Sequence, residues 1–501
     1  MRREDSLSKL NRPDDQPWDV AVIGGGAVGA GIALDAAARG LSCVLFEQHD
    51  FCKGTSSRST KLIHGGVRYL AQGNVSLVRE ALHERGLLQQ NAPELVRPLR
   101  FVVPCASVWG RWYYWLGMKC YDLLAGRLRI GRSRGMSTQE VRQALPGLGY
   151  DNLRGGVSYF DAQFDDARLL IGVLQKAREL GALPLNYMRV TEILKRDQRI
   201  RGLRVTDEET GQHYVVACRT LVNAAGVFSD DVRRMDNVDA PEMIAPSQGI
   251  HLVVHRRFLG GNDALMIPKT EDGRVLFAIP WLGRAILGTT DTPIEQASLE
   301  PKPLKDEVDY LLTHFSPYLD PSPTHEDVLS VFAGLRPLVR PKQEIGSTSK
   351  ISREHRIIKS ASGLISILGG KWTTFRKMSE DVVDVVQEVS GSEVTRSGTR
   401  TIAIDIPAGS TEETVDEMPT ADEIRRAIDQ EFARTVEDVL ARRFRCLLLD
   451  AKRSKTYARP VAQLIADVVG HDGDWVDSQV YAYSKVADSY MLSPNETFQQ
   501  K

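Results

Sequence analysis

The chain is short of cysteine, of long apolar runs and of net charge. Six cysteines in 501 residues (Cys43, Cys52, Cys105, Cys120, Cys218 and Cys446) are scattered without a CxxC pair. That excludes the usual spacing of a zinc site or disulfide framework and predicts a reducing compartment and no metal centre. No stretch approaches the roughly 20 apolar residues that a membrane-crossing helix needs. The charged opening MRREDSLSKLNRPDDQPWDV lacks the apolar centre of a secretory signal, so a cytoplasmic protein is expected. A formal net charge of -1 gives no overall field for nucleic acid. Against these absences stand 42% hydrophobic and 26% charged residues, ordinary for a globular protein of two or three domains. There is no internal repeat.

The first pattern with chemical content is a glycine loop. The apolar run Asp19 to Ile23 leads into Gly24-x-Gly26-x-x-Gly29, an alanine-rich helical stretch to about Arg39 follows, and Leu41 to Glu47 reads as a second buried strand. In such a βαβ unit the first glycine permits a tight turn and the second lets the backbone approach a pyrophosphate. The third allows close helix–strand packing, and the helix N-terminus faces the phosphates. Glu47 ends the second strand, where it can bond a ribose 2′-hydroxyl and would repel a 2′-phosphate, which argues against NADP.

The fingerprint is shared by NAD and FAD. Two later segments favour the flavin. Thr220-Leu221-Val222-Asn223-Ala224-Ala225-Gly226 is a strand running into a small-residue turn that can return to the cofactor. Gly369-Gly370-Lys371-Trp372-Thr373-Thr374 precedes an amphipathic helix from Phe375 to about Val389, whose N-terminal N–H groups suit the negative charge of a reduced flavin. Between them and the loop, Ser57 to Leu70 gathers hydroxyls, Lys61, His64, Gly65-Gly66, Arg68 and Tyr69 on one segment. Cofactor ring and anionic substrate are expected to meet there.

With VIGGGAVGAGIALDAAARGL, GTSSRSTKLIHGGVRYL, VNAAGVFSD, GTTDTP, AGLRPL and GGKWTTFRKMSED in order, the chain resembles the FAD-dependent, aerobic-type, quinone-linked glycerol-3-phosphate dehydrogenases. The resemblance covers nearly the whole chain and is most specific at KLIHGGVRYL and GTTDTP. It implies an α/β fold: a Rossmann-type FAD-binding domain assembled from 17–75, 160–240 and 350–390, and a mixed-sheet substrate-binding domain from 76–159 and 241–349. A linker at 391–420, rich in Thr, Glu, Asp and Gly, and a C-terminal helical domain at 421–501 complete it. It further implies oxidation of sn-glycerol 3-phosphate to dihydroxyacetone phosphate, with electrons passing from FAD to a quinone. The cysteine-poor C-terminus argues against the anaerobic, iron–sulfur-linked branch, and no residue set for covalent flavin attachment is evident, so FAD is expected to be non-covalent.

Flavin oxidation of a secondary alcohol needs a hydride delivered to N5, a proton removed from the hydroxyl, and an anchor for the substrate's charge. A phosphate dianion calls for arginine forks, for which Arg68 and Arg336 are the candidates. His64 and His251 compete for the proton. Tyr69 can bond substrate or flavin, Lys371 can support the reduced ring, and Thr290 and Asp291 are polar contacts to either. The expected cofactor residues are Gly24, Gly26, Gly29, Glu47, Thr55, Ser56, Ser59, Thr60, Lys61, Leu62, Ala225, Gly226, Gly370, Lys371 and Thr373. Trp109, Trp112, Trp115, Tyr113, Tyr114 and Tyr121, interleaved with Arg111, Lys119, Arg127, Arg129 and Arg132, suit either a buried wall or the inner face of a cytoplasmic membrane, where a quinone resides. A homodimer is compatible with the sequence and nucleic acid is not expected. Competing readings are a flavin oxidase using O2 or acting on an amine such as sarcosine, and an FAD-binding protein without turnover.

Overall fold

The computed structural model describes residues 3–10, 12–13, 15–71, 73–340, 355–391, 393–406 and 416–492, with only the backbone of Arg68 and Ala71. The predicted βαβ unit lies at the centre of the first of two sheets. Strands Trp18–Ile23, Cys43–Phe46, Leu183–Leu185, His213–Asn223 and Ile365–Gly369 run parallel, in the order 365–369, 213–223, 18–23, 43–46, 183–185. His355–Lys359 is added antiparallel at one edge, and an antiparallel pair, Met188–Arg196 and Arg199–Asp207, extends from His213–Asn223. The helix Ala27–Ala38 is buried over nearly its whole length. Its Gly and Ala content follows from that position between helices Asp166–Glu179 and Phe375–Ser390: a Cβ on Gly31 would come within 2.3 Å of Ser379 Oγ.

Among the described residues the second sheet has ten strands, almost all antiparallel, built on Ile244–His255, Val328–Val339, Arg284–Gly288, Leu276–Trp281, Val96–Pro104 and Gly156–Phe164. Leu62–Ile63 pairs at its edge with Gly156–Phe164, so the hydroxyl-rich segment leaves the first sheet's ligand edge and enters the second sheet.

Within the stretch expected to link the domains, Ile404 and Ile406 are buried, and the Gly172 backbone on Asp166–Glu179 lies directly beneath them. The C-terminal helices Ala421–Gln430, Ala458–Val469 and Gly473–Asp488 share a core with Val253, Trp281, Ile286 and Phe332 of the second sheet. Several arginines at the junction of this unit with the first sheet are buried. Arg443 and Arg442 both meet Asp50 at 2.5 Å, and Arg168 meets Glu431 at 2.6 Å. Burial by itself would raise the Asp50 pKa, but the two guanidiniums outweigh it and the carboxyl titrates below its ordinary range. Among the described residues no helix is long and apolar enough to cross a membrane, and no cluster of His, Cys, Asp and Glu could hold a metal ion.

Candidate active site

A cavity of about 400 Å³ runs from the glycine loop to the second sheet, within the range of small-molecule and cofactor sites. At one end the backbone is pared to glycine for specific reasons. Gly24 has φ +108, and a Cβ there would meet the Ala224 carbonyl oxygen at 2.6 Å. A Cβ on Gly29 would lie 1.9 Å from the Gly24 carbonyl oxygen, so Gly29 does not line the cavity but lets helix and strand close beneath it. Gly29→Ala is expected to cost about 1–3 kcal/mol of stability by overpacking and to yield protein with less flavin per chain; unchanged Tm and flavin content would contradict this packing role.

Ser56 Oγ accepts from the Ala27 N–H at 3.0 Å and so caps the helix that follows the loop. Glu47 lines the cavity, with Oε2 accepting from the Gly25 N–H at 2.7 Å and Oε1 from the His49 N–H at 2.9 Å. Burial raises its pKa, and these N–H groups offset part of the rise. The Ala224-Ala225-Gly226 turn is shaped by buried Asn223, whose Oδ1 accepts from the Ala225 N–H and whose Nδ2 donates to the Ser229 carbonyl.

At the other end, strand pairing sets the chemistry. Ser247, Gly249 and His251 lie opposite Arg336, Gly334 and Phe332 in the antiparallel register. Alternation places all six on one face. Gly249 leaves room for the guanidinium, since a Cβ there would stand 2.3 Å from Arg336 Nη2. Arg336 donates to the carbonyls of Gln248 (3.1 Å) and Thr290 (2.9 Å) and to Thr289 Oγ1 (3.3 Å), and lies 3.6 Å from Asp291. The His251 ring stacks on Phe332 at 4.8 Å, and its Nε2 shares a 2.9 Å hydrogen bond with Thr60 Oγ1. Its Nδ1 is buried with no hydrogen-bond partner among the described residues.

Burial first, then the charges of Arg336 and Lys61, hold His251 well below the ordinary imidazole value, so the ring is neutral at pH 7. Its unfolded counterpart takes up a proton near pH 6.5. The unfolded state therefore binds more protons below that pH, and the stability contributed by neutral burial is present above about 6.5 and lost as pH falls towards the folded value. The Tm of the wild type is expected to fall more steeply than that of His251→Asn between pH 7 and about pH 5; parallel curves would contradict it.

His64, Thr55, Ser59, Thr60, Leu62, Ala225, Gly226, Gly370, Lys371 and Thr373 also line this cavity, as do Gly24, Gly26 and Ser56. Lys371 Nζ sits 4.0 Å from the centre of the Tyr69 ring, which stands just behind the lining. The backbone of Arg68 lies in a short helix, Val67–Ala71, while its side chain is outside what the structure describes.

Two expectations are corrected. Lys61 does not reach the cavity: its Nζ is wholly buried, 2.7 Å from Asp166 and 2.6 Å from the Ser57 carbonyl, because the segment at positive φ turns it towards the first sheet's helices. Thr290 likewise turns inward, donating to Glu307 at 2.8 Å and accepting from the Ile250 N–H, so only its carbonyl serves the site, by fixing Arg336. Sequence reasoning missed the support beneath the Gly65-Gly66 turn. Buried Asp161 accepts from the Gly65 N–H, from Tyr121 Oη and from Arg85 at 2.7 Å, three partners remote from one another in the chain. No local spacing signals that cluster.

The FAD dependent oxidoreductase family matches residues 19–376, and the C-terminal domain of alpha-glycerophosphate oxidase matches residues 364–475. The chain belongs to the FAD dependent oxidoreductase family. It is 45% identical over 381 residues to a mitochondrial glycerol-3-phosphate dehydrogenase of Arabidopsis thaliana, covering 74% of this chain and 60% of that protein. It is 42% identical over 397 residues to the mitochondrial glycerol-3-phosphate dehydrogenase of Homo sapiens, covering 76% and 54%. It thus spans little more than half the length of these curated relatives. The crystal structure of the glycerol-3-phosphate dehydrogenase from Bacillus halodurans complexed with FAD superposes with a TM-score of 0.78 at 27% identity, over 100% of this chain and 99% of that one. A glycine oxidase from Geobacillus kaustophilus, TM-score 0.55 at 18% identity, shares the fold alone.

The cavity fits FAD on its own geometry. The glycine cradle, the capped helix N-terminus and Glu47 form a dinucleotide end, and the positive-φ turn Gly369-Gly370 (φ +75 and +87) brings the backbone of Lys371 and Thr373 to the middle of the same space.

Proposed function

We propose that this chain oxidises sn-glycerol 3-phosphate to dihydroxyacetone phosphate, with non-covalent FAD as the hydride acceptor and a quinone as the final electron acceptor. The observation that carries the reading is the single strand face on which Arg336, seated against Gly249, and a neutral His251 open onto a cavity whose far end is a dinucleotide cradle. In this reading Gly24, Gly26, Ser56, Glu47, Ala225 and Gly226 hold the nucleotide part of the cofactor, while Thr55, Ser59, Leu62, Gly370, Lys371 and Thr373 surround the rest. FAD supplies two-electron acceptance at its ring.

The protein's own residues do the remainder. The planar fork of Arg336, fixed by three acceptors, receives the phosphate dianion. His251 takes the hydroxyl proton, being uncharged, held through Thr60 and stacked on Phe332. The incoming dianion offsets the charge of Arg336 and so makes the protonated ring easier to hold. His64, whose backbone exchanges hydrogen bonds with Thr373 at 3.3 Å, faces the cavity at its middle rather than on the arginine's strand face. The test is steady-state turnover with a soluble quinone analogue. Glycerol 3-phosphate should be used far better than glycerol or sarcosine; preferential turnover of sarcosine would overturn the reading.

The same proposal places the protein on the cytoplasmic face of a membrane, where quinone resides. Supporting it, helix Val108–Ala125 exposes Trp109, Trp112, Tyr113, Leu116 and Leu123, at spacings that share one side of a helix, beside Arg111 and Lys119. Trp109 is 86% exposed. The pair Trp109→Ser and Leu116→Ser is expected to abolish sedimentation with anionic, quinone-containing liposomes while turnover with a soluble analogue persists. Equal binding by the variant would remove this helix from the contact.

A further inference from the structure

Beneath His251 lies a knot of wholly buried charges that belongs to neither cofactor nor substrate. Asp166, at the start of helix Asp166–Glu179, accepts from both the N–H (3.2 Å) and the hydroxyl (2.7 Å) of Ser59 and from Lys61 Nζ (2.7 Å) through one carboxylate oxygen. Its other oxygen accepts from Arg445 Nη2 at 2.6 Å. Ser59 and Lys61 flank Thr60, so this single carboxylate clamps the residue that holds the His251 ring from both sides.

Arg445 arrives from the C-terminal helical unit. Its fork also donates to the carbonyls of Ser57 (3.1 Å) and Ala441 (3.2 Å), and the backbones of Lys61 and Arg445 both sit in the left-handed region, at φ 61 and 62. Non-glycine residues hold that conformation only where their surroundings impose it. A second route runs through aromatic rings: Lys61 Nζ is 5.2 Å from the Phe332 ring, on which His251 stacks.

We propose that Arg445 is a positioning residue for the reaction centre, acting through Asp166 to fix Ser59 and Lys61, and hence the Thr60 hydroxyl that orients His251. The proposal rests on the reading that His251 takes the substrate proton. It gives the C-terminal helical unit a part in catalysis without a group in the cavity. Arg445→Lys keeps the charge but loses the fork, and Ser59→Ala keeps the backbone N–H while removing the hydroxyl's bond to Asp166 and the one it accepts from the Lys61 N–H at 3.1 Å, without leaving a charge unpaired.

The test is a coupling experiment in the holoenzyme with glycerol 3-phosphate and a soluble quinone analogue. Arg445→Lys and Ser59→Ala should each lower kcat per bound flavin about 10-fold, with KM within about 2-fold, and Arg445→Lys should leave flavin per chain unchanged. In a Thr60→Val background neither should lower kcat by more than about a further 2-fold, because the connection is already cut. Losses that are the same in both backgrounds, or that fall on KM or flavin content alone, overturn the proposal. Should Arg445→Lys fail to fold, the Ser59→Ala pair discriminates in the same way. A His251→Asn enzyme with undiminished kcat would overturn the base assignment and this proposal with it, whereas a dead His251→Asn beside additive losses overturns this proposal alone.

Discussion

His251→Asn is expected to lower kcat by about 100- to 10,000-fold, the span attributed to a positioned general acid–base group, while flavin binding persists. Asparagine approximates the ring's shape and can still bond Thr60, so the change removes proton acceptance more than packing. His251 is suited to that task because burial, Arg336 and Lys61 keep it neutral, and because its buried Nδ1 has no hydrogen-bond partner among the described residues. An unpaired buried polar atom costs stability and is found where function retains it. A loss under about 10-fold would move the proton to another group, His64 first, and the parallel His64→Asn variant would then carry the large effect.

Arg336→Ala is expected to lower kcat/KM for glycerol 3-phosphate by about 2–4 kcal/mol of transition-state binding, roughly 30- to 1,000-fold. The guanidinium is already oriented by the carbonyls of Gln248 and Thr290, so phosphate finds a donor fork that needs little ordering. Arg336 also forms an ion pair with Asp291 at 3.6 Å. Turnover of glycerol, which has no phosphate, should change little, so discrimination between the two alcohols should collapse. Arg336→Lys should fall between, keeping charge without the bidentate fork. A change under about 0.5 kcal/mol would show that the phosphate is anchored elsewhere.

Much of this architecture is legible in the chain because its signals are local. The strand, glycine turn and alanine-rich helix from Trp18 to Ala38, the helix beginning at Phe375, and the turns at Ala225-Gly226 and Gly369-Gly370 are specified by neighbours in sequence. So is the sharing of one strand face by Gly249 and His251, though not the arrival of Arg336 opposite, which depends on a distant strand. The features that local patterns do not specify are set by pairs remote in sequence. Lys61 looks like a cofactor contact until Asp166 and Arg445 claim it, and Thr290 looks like a site hydroxyl until Glu307 does. Arg442, Arg443 and Arg445 carry no local signal of burial, yet Asp50 and Asp166 draw them into the interior. The aromatic stretch is divided by tertiary contacts that periodicity does not reveal. Tyr121 is buried against Asp161, while Trp109 and Leu116 on the same helix face outward.

The most direct measurement is anaerobic addition of glycerol 3-phosphate to the purified flavin-bound protein, followed by its visible absorption. The account predicts that the oxidised-flavin band bleaches in a single turnover with glycerol 3-phosphate, persists with sarcosine, and returns on adding a quinone analogue. A band that persists with glycerol 3-phosphate but bleaches with sarcosine would contradict it.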